Sequence, residues 1–90
     1  KYALLGMTKS LAVELGEFGI NVNSVSPSMT NTTLISNIPN KLKEITASQI
    51  PLKRLAETKD VASAVLFLCS EQSNFLTGEN ILVSGGNTMH

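Results

Sequence analysis

One cysteine and one histidine, Cys69 and His90, are all that this 90-residue chain has of those two residue types. A lone cysteine excludes an internal disulfide framework and agrees with a reducing compartment. Without a second histidine or clustered carboxylates there is no ligand set for zinc, so no metal is expected. An excess of charge of either sign is also lacking: seven Lys/Arg balance seven Asp/Glu. The basic residues are dispersed, with no run able to grip a phosphate backbone, and nucleic acid is not an expected partner. Long hydrophobic runs are missing too. The apolar run Val65–Cys69 is far shorter than the roughly 20 residues that span a bilayer, and the N-terminus lacks the charged-then-apolar layout of a signal peptide. The expectation is a soluble, cytoplasmic protein with no membrane partner.

What is present is ordinary for a globular α/β chain of one small domain: 42% hydrophobic and 16% charged residues. Lys1 opens directly on helix-forming sequence without methionine or lead-in, which reads as the C-terminal part of a longer domain. Residues 1 to 17 have helical periodicity, with Leu4, Leu5, Thr8, Leu11, Ala12 and Leu15 recurring at spacings of three and four. Gly16 and Gly19 mark the end of that helix. Lys9, Ser10, Glu14 and Glu17 occupy its other face.

Ile20 to Ser26 reads as a β-strand ended by Pro27, which lacks an N–H and biases Ser26 toward extended backbone. Its polar residues, Asn21, Asn23, Ser24 and Ser26, are numerous for a buried parallel strand, so their side chains should be hydrogen-bonded. Asn23 is expected to stitch a loop in place. In open α/β sheets ligands bind just beyond the carboxyl ends of strands, which makes residues 27 to 33 the functional edge. Residues 27 to 57 contain no long periodic element. Thr30 to Ser36 could begin one short helix and Asn40 to Gln49, bracketed by Pro39 and Pro51, another. An excursion of this length predicts a substrate loop.

A third helix is expected over Lys59 to Glu71, capped by Glu57 or Thr58 and with Asp60 in its favourable first turn. Val61, Ala62, Val65, Leu66, Leu68 and Cys69 form a wide apolar stripe, and Cys69 is expected to be a buried, inert thiol. Thr77-Gly78 then turns the chain into a second strand, Asn80 to Ser84, flanked by Gly85-Gly86. Strand, helix and strand make a right-handed parallel βαβ unit. Two strands are too few for a stable parallel sheet, so strand edges and an apolar helix face should remain uncovered in these ninety residues.

These segments together resemble the C-terminal part of a short-chain dehydrogenase/reductase, particularly its 3-oxoacyl-acyl-carrier-protein reductase-like members. Lys1 with Ala3 to Leu15 is similar to the family's helix that opens on the lysine of its Tyr-x-x-x-Lys motif. Gly19 to Pro27 resembles its sixth strand, and Ile50-Pro51-Leu52-Lys53-Arg54-Leu55-Ala56-Glu57 the lead into its last helix. Phe67-Leu68-Cys69-Ser70, Phe75-Leu76-Thr77-Gly78 and Val83-Ser84-Gly85-Gly86 complete the pattern across essentially all ninety residues. The fold implied is the C-terminal portion of a Rossmann doubly wound parallel sheet, in the order helix, strand, loop with short helices, helix, strand.

The resemblance also implies chemistry: hydride transfer between NAD or NADP and a carbonyl or alcohol substrate, plausibly a 3-oxoacyl thioester. Lys1 would hold the nicotinamide ribose and lower the pKa of a catalytic tyrosine four residues upstream, although composition alone makes it an ordinary helix-surface lysine. Tyr2 is not that tyrosine, since it follows the lysine. The loop after the strand resembles the family's Pro-Gly-x-x-x-Thr cofactor clasp, so Pro27, Ser28, Met29, Thr30 and Thr32 are the implied cofactor-binding residues, with Ser28 standing where glycine is usual. Ser84 stands where aspartate is usual, and His90 is expected to be solvated or part of a subunit contact. Family members pair through the first helix, where Gly6 and Ala12 would permit close approach, and a homodimer or homotetramer is implied. Two other readings stay open: a non-catalytic association fragment, since the family's glycine-rich loop, catalytic serine and catalytic tyrosine all lie upstream, and a binding homologue that has lost catalysis.

Overall fold

The computed structural model describes residues 2–28 and 37–86. Helix α1 spans Tyr2–Leu15, strand β1 Ser24–Pro27, helix α2 Asn40–Gln49, helix α3 Thr58–Leu68 and strand β2 Asn80–Val83. Single 3-10 turns follow α1, at Gly16–Phe18, and α3, at Glu71–Ser73. The expected short helix at Thr30 to Ser36 falls outside the described residues.

The two strands pair with each other. The Ser24 N–H donates to the Glu79 carbonyl at 2.9 Å and the Ser28 N–H to the Val83 carbonyl at 3.1 Å. Both strands advance by four residues between these bonds, so the pairing is parallel and α3 is the crossover between them. The strand begins later than its sequence suggests because residues 20 to 23 direct their hydrogen bonds to side chains and turns. The Val22 N–H goes to the Thr77 hydroxyl at 3.0 Å, and the Val22 carbonyl accepts from Gly78 at 2.7 Å. Pro27 closes the strand instead of lying beyond it.

Contacts divide the chain into two compact units, residues 1–25 with 63–81 and residues 26–62 with 82–90. In the first, α1 turns Thr8 and Ala12 inward, with Leu5 and Leu15 half-covered. The Thr8 hydroxyl is satisfied by the Leu4 carbonyl at 2.8 Å, which allows that side chain to be buried. Ala12 meets Gly78, where any Cβ would stand 3.4 Å from its own. Leu4 and Leu11, which the periodicity places on the same stripe, are exposed together with Met7. Ala12 is therefore covered within the chain, and of the two small residues expected to admit a partner helix only Gly6 is exposed.

The expectation for the Asn side chains is met within this unit. Asn23 donates to the Leu76 carbonyl at 3.0 Å and accepts from the Glu79 N–H at 3.0 Å. Asn21 donates to the Asn74 carbonyl at 2.9 Å. Ser73, almost completely buried, spends its hydroxyl on the Leu68 and Ser70 carbonyls, closing the C-terminal end of α3.

In the second unit Ile50 and Ala56 are buried. Helix α2 occupies the span expected from its flanking prolines. Helix α3 starts at Thr58, and the Asp60 carboxylate in its first turn accepts from the Glu57 N–H at 2.7 Å. It ends at Leu68, three residues earlier than expected, where the Cys69 N–H is shared between the Val65 and Leu66 carbonyls. Cys69 is exposed, which corrects the buried thiol read from the stripe. Val65, Leu66 and Phe67 are exposed as well. Of the stripe, Val61 and Leu68 are half-buried and the remainder is exposed, in keeping with a parallel pair of only two described strands.

Candidate functional site

Both strands end in a small hydroxyl residue, Ser28 after β1 and Ser84 after β2. Parallel pairing brings these ends to one edge, where Ser28 and Ser84 line a cleft of about 280 Å³. Leu52, Ala56, Leu82 and Val83 supply its apolar wall, and Arg54 and Asp60 its charged rim. All of these residues belong to the second unit.

The rim charges cancel. Arg54 grips Asp60 with both terminal nitrogens, at 2.7 and 3.2 Å. That fork and the Glu57 backbone N–H hold the Asp60 carboxyl at about 2, below its ordinary value of 3.8, while Asp60 raises the Arg54 guanidinium. The arrangement is possible because the chain doubles back at Lys53, whose φ of 62° lies in the left-handed region. The Lys53 N–H donates to the Ile50 carbonyl at 2.8 Å, closing a turn around Pro51-Leu52. A cleft with a neutral rim, two serines in its lining and an apolar wall suits an uncharged polar group more than an ion. Among the described residues no three His, Cys, Asp or Glu come together as a metal site, and no helix is long and apolar enough to cross a membrane.

Of the residues singled out by sequence, Pro27 and Ser28 lie at this edge: Pro27 is exposed at the end of β1, and Ser28 is half-buried in the cleft wall. Lys1, Met29, Thr30 and Thr32 lie outside the described residues, as does His90. Sequence reasoning did not single out Leu52, Arg54 or Asp60 as cleft residues. Asp60 carried a signal, an acid in the first turn of a helix, but its partner six residues earlier is reached only through the backbone reversal at Lys53.

The family described as Enoyl-(Acyl carrier protein) reductase matches residues 1–88. Among curated proteins, the chain is 43% identical over 86 residues to the 3-oxoacyl-[acyl-carrier-protein] reductase FabG of Aquifex aeolicus, covering 96% of this chain and 35% of that protein. It is 41% identical over 86 residues to the (3R)-3-hydroxyacyl-CoA dehydrogenase of Mus musculus, covering 96% and 33%. It is 42% identical over 85 residues to the 3alpha-hydroxysteroid dehydrogenase of Mediterraneibacter gnavus, covering 94% and 34%. The solved 3-oxoacyl-[acyl-carrier protein] reductase of Brucella melitensis superposes with a TM-score of 0.93 at 34% identity, over 99% of this chain and 33% of that one. YwfH, an NADPH-dependent reductase of bacilysin biosynthesis, superposes with a TM-score of 0.88 at 29% identity, over 99% and 38%. The chain thus spans about a third of the length of the proteins it matches.

Proposed function

This chain belongs to the short-chain dehydrogenase/reductase family, and on that premise we propose that the protein carrying these ninety residues is an NAD(P)-dependent oxidoreductase acting between a carbonyl and an alcohol. The observation that carries the reading is the position of Pro27-Ser28. They end β1 beside the end of β2, at the carboxyl edge of a parallel pair, where open α/β sheets bind ligands. The residues present there fit a nicotinamide. Two serines bring polar groups to an otherwise apolar wall, which suits an uncharged carboxamide, and the rim carries no net charge. Pro27 and Ser28, with Met29, Thr30 and Thr32 from the following segment, would hold it.

Bound nicotinamide supplies the hydride. What this chain adds is orientation and control of a proton. Lys1 is the residue assigned to that control: an ammonium beside a phenol favours the phenolate, bringing a group of ordinary pKa about 10 toward working pH, where it can exchange a proton with the substrate oxygen. The family places that phenol four residues before Lys1. A 3-oxoacyl thioester is the substrate class we favour, because reductases and dehydrogenases of acyl thioesters recur among the relatives.

The test is nicotinamide fluorescence on addition of the whole protein to NADH and to NADPH, followed by loss of nicotinamide absorbance when a 3-oxoacyl thioester is added. Binding of one cofactor is expected, with Lys1→Ala weakening that binding and removing turnover. No binding of either cofactor overturns the reading.

A second reading, self-association, is favoured by Leu4, Met7 and Leu11, which are exposed at spacings of three and four along α1. We propose a homodimer or homotetramer that uses this helix. Sedimentation showing only monomer at micromolar concentration would count against it.

A further inference from the structure

The glycine pair after β2 has no part in the pairing of the strands, yet it is closely packed and conformationally constrained. Gly85 has φ of 60° and Gly86 of 93°, both left-handed. A Cβ on Gly85 would lie 2.9 Å from Ile50 Cγ2, and one on Gly86 would lie 3.0 Å from Pro51 Cβ and Cγ. The first distance is shorter than real Cβ contacts allow, and Cγ2 is a branch methyl held by the stiff χ1 of isoleucine, so it cannot swing aside. Ile50 itself is 2% exposed. The Gly85 carbonyl accepts from the Leu52 N–H at 3.0 Å. The turn Ile50-Pro51-Leu52 therefore sits directly on glycine backbone, in a seat that any side chain would fill.

The other end of the same excursion is held two residues away. Where the chain leaves β1, the Ser28 N–H donates to the Val83 carbonyl at 3.1 Å. The start and the return of the long excursion between β1 and α3 are thus both fastened to the short stretch Val83-Ser84-Gly85. The cleft lies between them, with Ser28 on one side and Leu52 on the other. Moving the seat moves one wall of the cleft relative to the other.

We propose that Gly85 and Gly86 are positioning residues for the ligand cleft: they seat the Ile50–Leu52 turn and so fix the distance between the Leu52 wall and Ser28. The inference rests on the nicotinamide reading above for the identity of the ligand, and on the seat alone for the mechanics. A misplacement of about 1 Å, even from a mutation far from the chemistry, can cost about a hundredfold in rate.

The test compares Gly85→Ala and Gly86→Ala with Gly19→Ala in the whole protein. Gly19 has φ of 73° and open space around it, so its substitution imposes the same backbone strain without touching the seat. All three variants should melt at lower temperature. Only the two seat variants should speed amide exchange at Leu52, and only they should weaken nicotinamide binding, by about tenfold, the equivalent of one lost hydrogen bond. If Gly85→Ala does not fold, Gly86→Ala carries the comparison, since its contact is with a proline edge at the exposed surface of the turn. Unchanged exchange at Leu52 in the folded seat variants, or faster exchange with unchanged affinity, overturns the inference. A wild-type protein that binds neither NADH nor NADPH overturns the nicotinamide reading, and the exchange comparison then still decides whether the glycines seat the turn.

Discussion

Arg54 and Asp60 are joined by a two-pronged ion pair, with guanidinium nitrogens at 2.7 and 3.2 Å from the two carboxylate oxygens. The pair ties the turn after α2 to the first turn of α3. Because the Asp60 carboxyl is held down at about 2 against an ordinary 3.8, the folded state binds its proton less readily than the unfolded state. The stabilisation it gives is complete above the ordinary value and is lost as pH falls from 3.8 toward 2. Asp60→Asn should flatten the dependence of melting temperature on pH across that window and leave its slope above pH ~5 unchanged. Arg54→Lys, which keeps the charge and loses the fork, should behave as a partial version of the same change.

Asn23 uses both ends of its amide, donating to the Leu76 carbonyl and accepting from the Glu79 N–H. Asn23→Ala should destabilise the protein by about 1–3 kcal/mol, the range for stripping partners from part-buried polar groups. Asn23→Asp should retain the acceptor and lose the donor, setting a carboxylate against the Leu76 carbonyl. Chemical denaturation of both variants checks the order, with aspartate no better than alanine.

Lys53 is the one non-glycine residue with positive φ among those described. Its ammonium reaches the Ser48 carbonyl at 2.7 Å, an exposed contact near the end of α2. Relief of left-handed strain should outweigh the loss of that contact, so Lys53→Gly is expected to raise stability by about 0.5–1 kcal/mol. Lys53→Val, β-branched at the same φ, should lower it. A pair of thermal melts distinguishes the two directions.

Ile50 is the large apolar residue most completely buried among those described. Ile50→Ala should cost about 2–5 kcal/mol, because the turn is pinned by Pro51 and by the Leu52 bond to Gly85 and cannot collapse into the space left behind. Denaturant titration measures the loss. The same substitution at Leu42, exposed on α2, should stay within about 0.5 kcal/mol.

Much of this architecture is legible in the residues. Asn40–Gln49 forms a helix where two prolines bracket it, and Asn23 stitches a loop because a polar residue in a part-buried strand must find partners. The parallel βαβ order follows from the spacing of strand, helix and strand. The boundaries of β1 were less legible, since whether an N–H pairs with a strand or with the Thr77 hydroxyl depends on residues more than fifty positions away. Cys69 shows a different limit. Periodicity assigns it to the apolar stripe, but the helix ends one residue before it and, of the stripe, only Val61 and Leu68 are even half-buried. At the candidate site, Pro27-Ser28 announced the edge through the proline, whereas the Arg54–Asp60 pair depends on a backbone reversal at a lysine, a residue type that gives no turn signal.

The amide and hydroxyl stitches that fasten the start of β1 reach partners 52 to 56 positions further along. During synthesis, at 5–20 residues per second, the ribosome needs roughly 3–11 s to deliver those partners after Ser24 has emerged. For that interval the partners that β2 and the residues before it give to β1 have not yet been made. Native topology thus sets a minimum waiting time before the β1–β2 pairing can close.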